Sequence, residues 1–224
     1  MSNYIVQAYW SFRSPYSYLS VARMLSMERE YALEWDLRIV YPLAIRRPGH
    51  FTLLRKNPLA RPYFMIDSAR VAEQLGLPFR RPTPDPIVQD PITLEVAEEQ
   101  PYIRHLTHLG IEAVRRGCGL AFIDEISRLL WSGAVNDWHQ DGHLEAAAKR
   151  AGLDLADMER TIAVDSALHE AIIESNHEAL RSAGHWGVPT FAFEGEAFFG
   201  QDRLDTLLWS LRQHGMPTRN TLKS

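Results

Sequence analysis

Hydrophobic and polar positions along this chain follow first a strand pattern, then a helical one, then a strand pattern again. Tyr4 to Trp10 (YIVQAYW) is apolar apart from Gln7, as in a strand buried on both faces. Pro15 suits the first turn of the helix that follows, where its missing N–H leaves no partner unserved. That helix is expected to run to about Tyr31, with Leu19, Ala22, Met24 and Leu25 on its inner side. LEWDLRIVYPL then alternates, placing Leu33, Trp35, Leu37 and Ile39 on one face of a half-buried strand. The opening is therefore β-α-β, a connection that favours a right-handed crossover and a parallel strand pair.

Pro42 ends that alternation, and RRPGHFTLLRKNPLARP carries too many breakers for a long element. Helices are expected over about Pro62–Leu75, Pro101–Gly117, Leu120–Leu130, Gly142–Ala151 and Leu155–Thr161. Gly152 stops one helix and Asp154 caps the next. DSALHEAIIESNHEALRSAG predicts a long helix with Asp165 as N-cap and Gly184 as the stop. Strand grammar then returns: VPTFAF and EAFF flank Glu194-Gly195, a tight hairpin turn. GQDRLDTLLWSLRQHG closes the chain as an amphipathic helix, with Asp202 at its N-cap. The order is β-α-β, a block of helices, then α-β-β-α.

Composition narrows the function classes. The 224 residues are 46% hydrophobic and 23% charged, enough for one large domain or a domain with an insertion. A net charge of -4 argues for neither nucleic acid nor a membrane surface as partner. No apolar run approaches the ~20 residues of a membrane span, and MSNYIVQAYW lacks the pattern of a signal peptide, so a cytoplasmic protein is expected. Cys118 is the single cysteine, which excludes an intrachain disulfide and a dithiol redox pair. Charge is uneven: Arg46, Arg47, Arg55, Lys56, Arg61, Arg70, Arg80 and Arg81 face only Asp67 and Glu73 in the same stretch. That is either a solvated face or a rim that attracts an anionic ligand. His139 with His143, and His105 with His108, lack the further ligands of a metal set, so no metal is expected.

The start of the first helix reads Ser14-Pro15-Tyr16-Ser17, two hydroxyls where many redox proteins carry two thiols. Ser14 by itself is explained by capping. Three motifs in order carry more: SFRSPYSYL at Ser11–Leu19, WGVPTF at Trp186–Phe191 and FFGQDRLDTL at Phe198–Leu207, with AAAKRAGLD between them. Together they resemble the 2-hydroxychromene-2-carboxylate isomerases and the related kappa-class glutathione transferases of the DsbA-like thioredoxin superfamily. One departure is visible: Ser11-Phe12 stands where that family often has Asp-Phe.

The resemblance implies an α/β, thioredoxin-like fold with a large helical insertion. A discontinuous domain of residues 1–45 and 178–224 would carry a helical subdomain of residues 46–177 packed over the Ser14 loop. It implies glutathione as cofactor and Ser14 as the catalytic residue, its hydroxyl hydrogen-bonding the ligand sulfur. Pro15 and Tyr16 would lie beside the sulfur, with Tyr16 and Trp186 lining the substrate pocket. Val188, before a cis Pro189, would pair with the cysteinyl backbone, a small instance of strand addition. Gln201 and Asp202 would hold the γ-glutamyl group, and Asn57 another part of the ligand. The implied activity is reversible addition of the glutathione thiolate to an aromatic or conjugated carboxylate, isomerising it. A homodimer is implied as well. A kappa-like transferase shares these motifs, and a non-catalytic thioredoxin-fold binding protein that kept a peptide-pairing groove is the alternative from another class.

Overall fold

A computed structural model describes residues 4–47, 59–90, 92–93 and 95–220. Strand β1 (Tyr4–Trp10) lies inside a four-stranded sheet. It runs parallel to β2 (Leu33–Ile39), in register from Tyr4 opposite Leu33 to Trp10 opposite Ile39. On its other side it runs antiparallel to β3 (Thr190–Phe193), which pairs in turn with β4 (Glu196–Phe199). Helix α1 (Pro15–Glu30) links β1 to β2. Between β2 and β3 come α2 (Leu43–Arg46), α3 (Ala60–Gln74), α4 (Pro101–Arg115), α5 (Gly119–Trp131), α6 (His143–Arg150) and α7 (Leu155–Ser182). A turn of 3-10 helix at Gln201–Arg203 leads into α8 (Leu204–Gln213). The arrangement is the DsbA-like thioredoxin fold, mixed α/β with a large helical content.

The strand expectations hold because each has a simple physical cause. Central β1 buries Val6, Ala8, Tyr9 and Trp10, although Ile5 at its start is exposed. Alternation in β2 buries Leu33, Trp35, Leu37 and Ile39. Glu194 and Gly195 both take positive φ, 48° and 80°, the twist a two-residue hairpin turn requires.

Several helix details differ from the expectations. Ala22 is exposed; α1 buries Tyr18, Leu19, Val21, Met24 and Met27 instead, so its inner face is rotated. The four residues of α2 are too few to show a helical period among their flanking prolines. Asp165 marks the break that the sequence predicts: two helical stretches meet there at a kink and run together as one bent α7, with φ -114° and ψ 30° at Asp165. Its side chain makes no capping hydrogen bond among the described residues, and its carbonyl accepts a hydrogen bond from the Nδ1 of His169 at 2.8 Å. A side chain entering the backbone ladder in this way kinks a helix without ending it. Asp154 caps the whole of α7 by accepting the Asp157 N–H at 2.9 Å. Asp202 caps nothing either, since Gly200 precedes the 3-10 turn and Arg203 precedes α8.

Packing around Phe12 fixes the loop that starts α1. Phe12 is fully buried and meets Trp10 edge-on, ring centroids 4.8 Å apart. Its carbonyl accepts the indole N–H of Trp131 on α5 at 3.0 Å, while the indole N–H of Trp10 reaches the Ser17 carbonyl at 2.9 Å. Gly110 on α4 leaves room for the Phe12 ring: a Cβ there would stand 2.8 Å from Phe12 Cε2. Overpacking a site this tight costs about 1–3 kcal/mol. Gly110→Val is therefore expected to lower stability by about that amount, read as a shifted urea midpoint with an unchanged slope. An unshifted midpoint would show that Phe12 is not held as described.

Candidate functional site

Ser14 has extended backbone (φ -89°, ψ 116°), and its Oγ accepts the Ser17 N–H at 3.2 Å, a regular N-cap. The same hydroxyl donates to the carbonyl of Val188 at 3.1 Å. This one contact joins the start of α1 to the loop before β3, 174 residues later. The Val188-Pro189 peptide is cis. The Pro189 carbonyl accepts the Gly200 N–H at 2.9 Å, and the Val188 N–H has no partner among the described residues.

These groups stand in the wall of a cavity of about 450 Å³. Of the residues singled out in the sequence, Ser14, Pro15, Tyr16, Trp186 and Val188 line it. Pro189, Gln201 and Asp202 stand outside its lining. Gln201 is buried, with its carbonyl taking a hydrogen bond from Arg23 at 3.2 Å, and Asp202 is exposed beside Arg203. Asn57 lies outside the described residues. Helices α3 and α5 supply the facing wall, including Phe64, Met65 and Trp131. Cys118, half-buried before α5, is not part of it, so the cavity holds no thiol of the chain's own.

Tyr16 is a wall and not a proton source. Its hydroxyl donates to Asp67 on α3, and its ring meets Phe64 edge-on at 5.1 Å. Burial and then the Asp67 carboxylate push the phenol pKa well above its usual range. At neutral pH it is neither base nor free acid. The opposite wall is an aromatic stack. His185 lies between Trp186 and Phe199, with centroid separations of 4.3 and 3.9 Å. Its Nδ1 accepts the Gly187 N–H at 2.9 Å. Gly187 must be glycine for this to close, because a Cβ would come within 2.4 Å of the Phe199 ring.

An ion-pair cluster that leaves no signal in the sequence also lies in the wall. Arg13 makes a two-pronged contact with Asp85, at 2.9 and 3.0 Å, and Arg81 reaches the same carboxylate at 2.6 Å. Asp85 sits in TPDP, where proline spacing reads only as a loop, and no local signal links it to Arg13. Among the described residues, no group of three or more His, Cys, Asp or Glu is placed to hold a metal ion.

Burial alone would raise the Asp85 pKa, but Arg13, the Ile87 N–H and Arg81 outweigh it and hold the carboxyl below its usual range. A depressed folded-state pKa stabilises the fold above the unfolded value of about 3.9, and that contribution disappears as pH falls through the folded value. Asp85→Asn is expected to cost about 1–3 kcal/mol at pH 7. The gap to wild type should close as the pH drops below about 4. Denaturant titrations of both proteins across pH check this; a gap independent of pH would contradict it.

No curated protein matches the chain by sequence. Among solved structures, a 2-hydroxychromene-2-carboxylate isomerase matches with a TM-score of 0.71 at 18% identity, covering 93% of this chain and 95% of its own. A probable DsbA oxidoreductase from Streptomyces coelicolor matches with a TM-score of 0.66 at 19% identity, covering 94% and 89%. The cytosolic disulfide reductase DsbM from Pseudomonas aeruginosa, with GSH, matches with a TM-score of 0.53 at 15% identity, covering 92% and 99%. At such identities the likeness speaks for the fold alone. No helix among the described residues is long and apolar enough to cross a membrane. The sequence itself matches the DSBA-like thioredoxin domain over residues 5–212, and with the sheet order and the Ser14–Val188 hydrogen bond beside the cis Pro189 described above, the chain belongs to that family.

Proposed function

We propose that this protein is a glutathione-dependent isomerase of the 2-hydroxychromene-2-carboxylate type. The observation that carries the reading is the Ser14 hydroxyl, 3.1 Å from the Val188 carbonyl, in the wall of a cavity without a cysteine. Two thiols at the start of α1 would make a redox centre. Two hydroxyls there cannot exchange electrons, yet the helix terminus keeps its preference for an anion.

The residues present fit a thiol-bearing peptide. Val188 offers both a backbone N–H and a carbonyl, the pairing edge of an extended chain. The 16-residue helix α1 directs its positive end at the same wall. Pro15 has no N–H to offer, the Ser17 N–H is taken by Ser14, and the Tyr16 N–H has no partner among the described residues. Glutathione, when bound, supplies a nucleophilic sulfur for reversible addition to a conjugated substrate. Ser14 turns its O–H from the Val188 carbonyl towards that sulfur and, with the helix end, favours the thiolate. Lowering a thiol pKa by one unit needs about 1.4 kcal/mol, within the range of one charge-assisted hydrogen bond. Gln201 and Asp202 are assigned to the γ-glutamyl end. Phe64, Met65 and Trp131, from residues 46–177, exclude water from the reacting atoms.

Ser14→Ala tests the assignment. Loss of a cap alone lowers stability by about 1 kcal/mol and leaves a bound thiol unchanged. The expected result adds to this a shift of the glutathione thiolate absorbance to higher pH and a lower kcat at neutral pH. Superimposable thiolate titrations in the two proteins would reduce Ser14 to a cap and remove the reading's main support. Recovery of free glutathione after turnover identifies the isomerase; its consumption identifies a transferase.

A further inference from the structure

Arg46, at the end of α2, is a cation without a carboxylate partner among the described residues. Its Nε donates to the Tyr41 carbonyl at 2.6 Å, and an Nη2 proton goes to the Trp186 carbonyl at 2.9 Å. A guanidinium has five N–H donors, so two carbonyl acceptors leave most of them unserved. Among the described residues no Asp or Glu pairs with it, and the neighbouring stretch of residues 48–58 contains neither residue type. Burial, and then the like charges of Arg47 and Arg181, pull its pKa down to about 10, so it stays cationic at neutral pH.

Its position gives that charge a use. Arg46 and Trp186 both line the main cavity, and both also line a second, smaller cavity of about 320 Å³. In the smaller cavity, Arg104 pairs with Glu170 at 3.2 Å and Arg181 with Glu174 at 3.7 Å. In the main cavity, Arg13 and Arg81 share Asp85. Arg46 is thus the cation of the main cavity that lacks a carboxylate among the described residues. Beside it Trp186, half-exposed, presents an indole to the same space.

We propose that Arg46 binds the carboxylate of an aromatic acid substrate whose ring lies against Trp186. The inference rests on the reading of this cavity as the substrate site and adds the residue that selects for the acid. A guanidinium fork meets a carboxylate in a two-pronged contact, and the two carbonyls already fix the fork's orientation. Trp186 supplies the flat apolar surface, and its own carbonyl anchors Arg46, so ring and charge are set at one spacing. A carboxylate could also come from a thiol peptide bound at Ser14, and the two sources are separable by experiment.

The test is binding, without turnover, of 1-naphthoate and of the neutral 1-naphthalenemethanol, followed by calorimetry and tryptophan fluorescence. Glutathione is titrated separately. Wild type is expected to prefer naphthoate to the alcohol by roughly tenfold or more. Arg46→Gln should erase that preference, leave the alcohol's affinity in place, and change glutathione affinity less than about twofold. Equal affinity of wild type for acid and alcohol overturns the proposal, whatever the variant does. So does a variant that keeps the preference, or one that loses glutathione and retains naphthoate, which would assign the charge to the thiol ligand. If Arg46→Gln does not fold, Arg46→Lys keeps the charge without the fork and should retain only part of the preference; full retention would overturn the two-pronged contact. Because the naphthoate arm contains no glutathione, its failure is distinct from failure of the Ser14 assignment.

Discussion

The structure depends on the burial of Phe12. A central strand that pairs on both sides has to deliver its chain into the interior at its end, and Trp10 and Phe12 are both almost wholly covered there. A backbone carbonyl at such depth is costly unless it is bonded, and the Trp131 indole serves the one on Phe12. Helices α4 and α5 are thereby fastened to the loop that begins α1. The hydroxyl at Ser14 inherits its position from this packing. A cap on a helix whose first turn could drift would not meet the Val188 carbonyl, and the two halves of the sheet would present their polar groups to different places.

Around that anchor the wall divides its charges. Arg13 and Arg81 share the Asp85 carboxylate, so the wall near Arg13 is structural. Tyr16 is tied to Asp67 and serves as surface. What remains chemically available among the described residues is one serine hydroxyl, one backbone edge and one guanidinium, in a largely apolar space. A site with few free polar groups discriminates through each of them, because leaving any one unpaired is expensive.

The elements whose cause is local were legible in the sequence. β1 and β2 show themselves by period, the hairpin by Glu194-Gly195, and the start of α1 by Ser14-Pro15. The Val188–Pro189 loop became legible through its resemblance to a known loop. A helical block over the Ser14 loop was expected from the resemblance, but the residues that face the cavity were not legible: an apolar face on α3 or α5 reads the same whether it meets a core or a cavity, so Phe64 and Met65 gave no sign of their place. Pairings such as Arg13 with Asp85, 72 residues apart, leave no local trace. Asp165 was legible as the junction of two helical stretches, although its side chain makes no capping bond there among the described residues. Asp202 misled: it is a good capping residue by type, but the chain turns at Gly200 and α8 begins after Arg203. Arg46 stood out only as one member of a basic run; that no carboxylate among the described residues pairs with it is a property of three dimensions.

Helix α7 has a mechanical consequence. Its 28 residues reach roughly 40 Å at 1.5 Å per residue, and it bends only at Asp165. Its first turn is tied to α4 through Arg116 and Asp157, at 2.6 Å. Its second half is bolted to the sheet end, where Asn176 donates to the Ile39 carbonyl at 3.0 Å and the His177 ring accepts the Tyr41 N–H at 3.1 Å. The Tyr41 carbonyl, in turn, steadies Arg46. Its middle is held to α4 as well, through His169 with Glu112 and Glu170 with Arg104. One bent helix therefore staples the helical block to the sheet edge on which the guanidinium's aim depends.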